Sequence, residues 1–315
     1  MVLSIAESFK SKLPVKFLIT GATGLVGSRI TQLLTNKGHQ VNFLTTSTSK
    51  LKTTENVKGY HWNPKAGEID EKCLDGVSTI INLAGASVAQ RWTESHKTAI
   101  LDSRLDSLNL LYSTLKTEKH QVDQLISASA IGVYPHSYKK LYTESETSLS
   151  DDFLGDVVQQ WETAADQIQE LNINVAKIRI GVVLSKNGGA LEKMAKPIKS
   201  YVGAPLGSGK QWQSWIHVDD LADMFLFINK KKLTGVYNGV APNPVTNSQL
   251  TKSIARKLRK PILLPPVPGF MLKLILGEMA QVVLQSQKVS SDKIENEGFG
   301  FEFKDIYDAL SDIYD

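Results

Sequence analysis

The stretch that most limits what this chain can become is Val15–Gly27, VKFLITGATGLVG. Val15, Phe17, Leu18 and Ile19 make a short apolar run of the kind that forms a buried strand, and the run stops at Gly21. Leu25, Ile30, Leu33 and Leu34 then mark one face of a helix ending near Gly38. Between them stand Gly21, Gly24 and Gly27, spaced GxxGxxG. Glycines at such a junction permit a tight turn, a close backbone approach to a pyrophosphate and close packing of helix on strand. The helix N-terminus adds unpaired N–H groups and partial positive charge. Gly21, Thr23, Gly24, Leu25, Val26 and Gly27 are therefore the residues expected against a dinucleotide.

With 315 residues there is ample length for a large core, as one large or two modest domains. A net charge of +4 is too small to argue for a polyanionic partner, and Lys230–Lys232 and Arg256–Lys260 lack interleaved aromatics. Nucleic-acid binding is not expected. The single Cys73 excludes an internal disulfide and a cysteine metal cluster and suits the cytoplasm. Residues 1–14 carry Glu7, Lys10 and Lys12 and read as an extension without a signal peptide's apolar core. Pro261–Leu284 is the most apolar late stretch, but prolines, Lys273 and Glu278 interrupt it, so no membrane span is expected.

Gln40–Leu44 reads as the second strand, followed by Thr45, Thr46, Ser47 and Lys50. In dinucleotide folds an acidic residue here holds the 2′-hydroxyl of NAD, whereas basic or hydroxyl groups suit the 2′-phosphate of NADP. No Asp or Glu occurs between Val41 and Lys52, which favours NADP(H). Val57–Trp62 and Val77–Leu83 are further strands, the latter leading into Leu83, Ala84 and Gly85, whose small size leaves room for a cofactor. Trp92–Leu115 is helical. Arg104 within it suits a phosphate, a substrate or a surface salt bridge alike.

Asp123–Ser129 is the fifth strand and runs into SASAIGVYP, where Ser129 and Tyr134 are placed either to polarise a carbonyl and move a proton or merely to cap and pack. A helix over Phe153–Leu171 and a sixth strand over Val175–Leu184 complete the alternation of strand and helix. That alternation implies an α/β protein with a doubly wound parallel sheet and ligands at its carboxyl edge. Beyond Ser185 come a glycine loop, Gly203–Gly209, and Gln211–His217. Trp212 and Trp215 are suited to a substrate pocket or to the core. His217 has no second histidine near enough for a metal site, and Asp219 or Asp220 is placed to cap the helix Leu221–Asn229. Tyr237–Val240 reads as a strand, Ser248–Leu258 as a helix and Pro261–Pro268 as a linker.

Taken together, ITGATGLVG, the NLAG turn, SASAIGVY, RIGVVLS, GAPLGSGKQWQSWIHVDDLAD and QSQKVSSDKIENEGFGFEF resemble the bacterial epimerase-family proteins of the atypical extended short-chain dehydrogenase/reductase group, over nearly everything from Val15 on. The resemblance implies a Rossmann-type NADP(H) domain at 15–185 with contributions from 210–240, substrate-side segments at 186–262 and a small C-terminal domain at 263–315. Ser127 and Ile180 join the expected cofactor contacts, and Arg104, Trp215 and His217 the substrate side. A four-helix dimer is common in the superfamily, but several members of the resembling group are monomers, so monomer and homodimer both stay open.

Active members of that superfamily carry Tyr-x-x-x-Lys on the helix after the fifth strand. Aligning Glu162 with the glutamate that usually follows puts Leu154 and Val158 at those two positions. Tyr112–Lys116 matches literally but precedes the fifth strand. Val182 stands near where nucleotide-sugar enzymes place a diphosphate-gripping asparagine. Two readings follow. One is an NADP(H)-dependent oxidoreductase or epimerase acting on an unidentified small molecule, with Ser129 or Tyr134 as the catalytic hydroxyl and His217 or Glu144 as a remoter acid/base. The other is a non-catalytic NADP(H)-binding sensor or partner-binding module.

Overall fold

The computed structural model describes residues 15–315, and the extension expected over residues 1–14 lies outside the described residues. In chain order the first half contains β1 Lys16–Thr20, α1 Leu25–Asn36, β2 Gln40–Thr45, β3 Val57–Asn63, β4 Glu68–Ile69, β5 Val77–Asn82, α2 Glu94–Thr117, β6 Gln124–Ala130, β7 Leu141–Tyr142, α3 Phe153–Asp166 and β8 Asn174–Ile180. The second half contains β9 Val182–Leu184, α4 Gly189–Lys199, β10 Trp212–Gln213, β11 Trp215–His217, α5 Val218–Lys231, β12 Gly235–Gly239, β13 Val245–Thr246 and α6 Asn247–Lys257. It closes with α7 Gly269–Leu276, α8 Ala280–Leu284, β14 Lys288–Val289, α9 Asp292–Asn296 and α10 Ile306–Tyr314.

Eight strands form one sheet in the order β12-β8-β6-β5-β1-β2-β3-β4, parallel except for β4 against β3. This is the expected doubly wound sheet. The order runs outward from β1 and β5 in opposite directions, so a crevice opens at the carboxyl ends of those two strands. Alternation along β1 divides the core. Phe17 and Ile19 pack with Ile30 and Leu34 of α1 and Phe225 of α5 on one face. Leu18 packs with Leu108 and Leu111 of α2 and Trp161 of α3 on the other.

A smaller core joins α4, α6 and α10 through Leu191, Ile198, Leu250, Ile254, Leu310 and Ile313. The tail serves two bodies, because Ile294, Phe299 and Phe301 pack into the sheet core. No helix among the described residues is long and apolar enough to cross a membrane.

Three expected elements differ in detail. The helix expected from Trp92 starts at Glu94, because the Thr93 side chain accepts a hydrogen bond from the N–H of His96 and caps it. The sixth strand breaks at Gly181, where a Cβ would overlap the Ser214 carbonyl oxygen. β9 continues beyond it, paired with β11 instead of the main sheet. The cap of α5 is His217, whose Nδ1 accepts from the N–H of Asp219 at 3.3 Å. Asp219 pairs with Arg29, its Oδ2 accepting from Nη2 at 2.8 Å. The Asp220 carboxylate accepts from the backbone N–H groups of Glu302 and Phe303 at 2.8 and 3.0 Å, which ties the tail to the sheet domain.

Candidate functional site

The glycine turn builds the first part of the site. Gly21 sits at φ +70°, and a Cβ there would press on the Leu83 carbonyl, so the turn passes close under the end of β5. A Cβ on Gly27 would overlap the Gly21 carbonyl oxygen, which fixes how near α1 lies to β1. Gly24 occupies the N-cap without a side-chain hydrogen bond. The N–H groups of Leu25, Val26 and Gly27 find no acceptor among the described residues. Unpaired N–H groups at a helix N-terminus fit a phosphate group; Gly21 and Thr23 of this turn line the outer cleft described below, whereas Leu25 lines the depression beside His217.

Beneath them the parallel register places Thr20 beside Asn82 and Asn82 beside Ser127. Thr20 Oγ1 donates to Asn82 Oδ1 at 2.7 Å and accepts from the N–H groups of Leu83 and Ala84, each at 3.0 Å. Asn82 Nδ2 donates to Ser127 Oγ at 3.2 Å, and Ser127 Oγ donates to the Ala128 carbonyl. The Ser127 hydroxyl is thus buried beneath the edge and used in holding the strand ends, while Ile180 lines the site directly.

Two clefts adjoin at this edge. The outer one, about 690 Å³, is lined by Gly21, Thr23, Thr45, Thr46, Ser47, Lys50, Ala84 and Gly85, which the sequence had marked separately. Its other walls carry Asn63 and Lys65 after β3, and Asp102 and Asp106 on α2. Sequence reading missed these. The i,i+4 spacing of Asp102 and Asp106 places them on one helix face, but nothing local says that this face meets the cleft. Burial, with the neighbouring Asp102 charge, holds the Asp106 carboxyl above its ordinary range.

The inner cleft, about 240 Å³, lies at the ends of β6 and β8. Arg104, Leu154, Val158, Trp161, Trp212 and Gln213 are among its walls. Leu154 and Val158, the residues expected from the sequence at the family's tyrosine and lysine positions, both line it. Trp212 lines it, whereas Trp215 is fully buried in the smaller core and gives its indole N–H to the Asn243 carbonyl at 2.9 Å. His217 does not line it either. It caps α5 beside a separate depression with Arg29, Lys186 and Asp312.

The two hydroxyls expected to meet a substrate are instead consumed in a buried network. Ser129 Oγ donates to Glu162 Oε1 at 2.6 Å, and Tyr134 OH donates to Asn238 Oδ1 at 2.8 Å and accepts from Arg179 Nη1 at 3.1 Å. Tyr134 is 0% exposed and Ser129 3%. Burial pushes the Tyr134 phenol up despite the opposing Arg179 charge. Burial would also raise the Glu162 carboxyl, but hydrogen bonds and charge from Arg179 hold it below the usual range. Glu144 borders this network instead of either cleft, its carboxylate accepting the backbone N–H of Asn238 at the sheet edge.

A switch-point crevice over a glycine turn with free helix N–H groups defines a Rossmann-type nucleotide-binding protein. The chain belongs to the NAD dependent epimerase/dehydratase family, whose profile matches residues 17–239. Residues 267–313 match a domain of unknown function, DUF1731. An epimerase family protein of Staphylococcus aureus (strain MRSA252) is 37% identical over 299 residues, covering 95% of this chain and 98% of the relative. The crystal structure of the human epimerase family protein SDR39U1 (isoform2) with NADPH superposes with a TM-score of 0.82 at 27% identity, covering 95% of this chain and 99% of that one. UDP-glucuronic acid 4-epimerase from Bacillus cereus, in complex with UDP-glucuronic acid and NAD, reaches a TM-score of 0.77 at 16% identity over 95% of this chain and 98% of that one. That last likeness concerns the fold alone. The family gives this protein an NAD(P)-binding site on an epimerase/oxidoreductase-like fold.

Proposed function

We propose that the protein binds NADP(H) across both clefts and acts as an oxidoreductase or epimerase on a small molecule held in the inner one. The observation that carries the NADP preference is the rim at the end of β2. Thr45, Thr46, Ser47 and Lys50 line the outer cleft, and that strand and loop bring no carboxylate to it. Hydroxyls and an ammonium suit a 2′-phosphate, and an acidic residue there would repel it. Gly21, Thr23, Gly24, Leu25, Val26 and Gly27 cradle the pyrophosphate in this reading, and Asp102 and Asp106 on the far wall accept from an adenine amino group. The human relative crystallised with NADPH supports the same preference. When bound, the nicotinamide supplies the hydride chemistry. The chain's own task is to present a carbonyl or alcohol to it and keep water out.

A thermal-shift titration with NADPH and NADH tests this. Ligand at a hundred times its Kd stabilises the folded state by about 2.7 kcal/mol. NADPH is expected to raise Tm at lower concentration than NADH, and a Thr46→Asp, Lys50→Glu double variant to reverse the order. Equal shifts from both nucleotides would remove the preference.

A second reading, cofactor binding without turnover, draws on Leu154 and Val158. Both are hydrocarbon walls of the inner cleft, where Arg104 is the one ionisable side chain among the described residues. Oxidation of NADPH by added carbonyl compounds separates the two readings.

A further inference from the structure

Arg104 is placed as few arginines are. Its guanidinium carbon lies 4.9 Å from the centre of the Trp161 ring, and Gly85 has so little room that a Cβ there would come within 3.1 Å of it. Nη1 is spent on the carbonyls of Ile100 and Ala86, at 2.6 and 3.3 Å. Among the described residues Nε and Nη2 have no acceptor, and no carboxylate forms an ion pair with this side chain. Burial pushes its pKa down to about 10, so it stays charged at neutral pH. Arg104 is partly buried, and its unpaired nitrogens stay open to the cleft, where a half-desolvated cation without a counter-ion is a ready anchor for an anionic group. Gln213, on the same cleft, also has a side-chain amide without a hydrogen-bond partner among the described residues.

The rest of the cleft sets the size and charge of that ligand. Its volume, about 240 Å³, falls below the roughly 300–1,000 Å³ of sites that hold drug-sized molecules. One arginine with no second cation balances one negative charge, too little for a diphosphate. Val88, Ile131, Leu154, Val157, Trp161 and Val282 offer apolar contact to the remainder. Gly85 separates Arg104 from the outer cleft, which places the guanidinium on the substrate side. We infer that the inner cleft binds a small monocarboxylate with an apolar body, gripped by Arg104 Nε and Nη2 and steadied by the Gln213 amide. A guanidinium fork matches a carboxylate in two parallel hydrogen bonds, a geometry that an ammonium cannot reproduce.

This rests on the cofactor reading above for the identity of the inner cleft as the substrate side. The test uses matched acid–amide pairs, benzoate with benzamide and phenylacetate with phenylacetamide, titrated by calorimetry into the protein with and without saturating NADPH. At least one acid is expected to bind about tenfold or more tighter than its amide. Arg104→Met should abolish that preference, Arg104→Lys should keep part of it, and Gln213→Leu should reduce it severalfold, with the NADPH affinity of all three within about twofold of the wild type. Two results overturn the inference: no acid in the panel outbinding its amide, or loss of NADPH affinity by tenfold in Arg104→Met, which would make Arg104 a cofactor phosphate ligand. If NADPH fails to bind the wild type, the cofactor reading falls alone, and the nucleotide-free titrations still decide this one.

Discussion

Glu162 grips Arg179 through both carboxylate oxygens, with Nε at 2.8 Å from Oε1 and Nη2 at 2.9 Å from Oε2, between α3 and β8. Both side chains are buried, and Lys177 adds a second positive charge 3.8 Å from Oε2. Around this pair Ser129, Tyr134 and Asn238 complete a polar network directly behind the inner cleft. The pair fixes α3, and with it Leu154, Val158 and Trp161, against the end of the sheet.

Breaking the pair on one side leaves a buried charge without its bidentate partner, with Lys177 3.8 Å away offering Glu162 only weaker compensation. Glu162→Gln and Arg179→Met are each expected to lose about 3–5 kcal/mol of stability. The double variant should lose much less than their sum, because neither member of the pair is left alone and Lys177 keeps Asp166 at 2.6 Å. Urea unfolding of the four proteins measures the coupling, and additive losses would refute it.

Ser129 and Tyr134 are expected to matter for position, not proton transfer. Ser129→Ala removes a hydrogen bond to a charged acceptor and should cost about 1.5–3 kcal/mol. Tyr134→Phe leaves Asn238 Oδ1 and one arm of Arg179 short of a partner and should cost a similar amount. Both should still bind NADPH within about threefold of the wild type. A variant with unchanged Tm whose NADPH oxidation falls by a hundredfold would return that hydroxyl to the chemistry.

Gly27→Ala is expected to fail at the cofactor. The added methyl meets the Gly21 carbonyl oxygen, so α1 must move off β1 and carry the Leu25 and Val26 N–H groups with it. Overpacking of this kind costs about 1–3 kcal/mol. The NADPH-induced rise in Tm should vanish even where circular dichroism shows a folded protein.

Acidification should destabilise the protein through His217. Burial lowers its pKa in spite of Asp219 and Asp312, so the folded state binds this proton more weakly than the unfolded chain, whose value is about 6.5. The stability it contributes is complete above that value and is lost as pH falls through the lower folded value. Protonation also removes the Nδ1 acceptor that caps α5. Tm measured from pH 8 to pH 5 should fall below about pH 6.5 in the wild type and more shallowly in His217→Asn, which keeps a capping acceptor. Parallel curves would assign the acid loss to other groups, such as Glu162.

Much of this was legible in the chain itself. Short apolar runs located every strand of the main sheet except β4, and helical periodicity located most of its helices. The glycine spacing located the turn, and the hydroxyl-rich end of β2 located the outer rim. Gly181 looked like an interior strand residue until the Ser214 carbonyl came to lie against it. Ser129 and Tyr134 looked available because Glu162, Arg179 and Asn238, which consume their hydroxyls, come from other strands and from α3. Asp102 and Asp106 were invisible as site residues until α2 was laid along the crevice.

The division has a physical cause. Steric freedom at glycine, side-chain alternation in a strand and the unpaired N–H groups of a helix start are properties of a few consecutive residues, so sequence alone determined the α/β class, the glycine turn and the polarity of the outer cleft's rim. Whether a polar side chain is free or spent depends on partners brought from far along the chain and on the solvent they exclude. Only the tertiary structure could decide that Tyr134 is closed off, that His217 caps a helix, and that Arg104 stands in an apolar cleft with its charge unmatched.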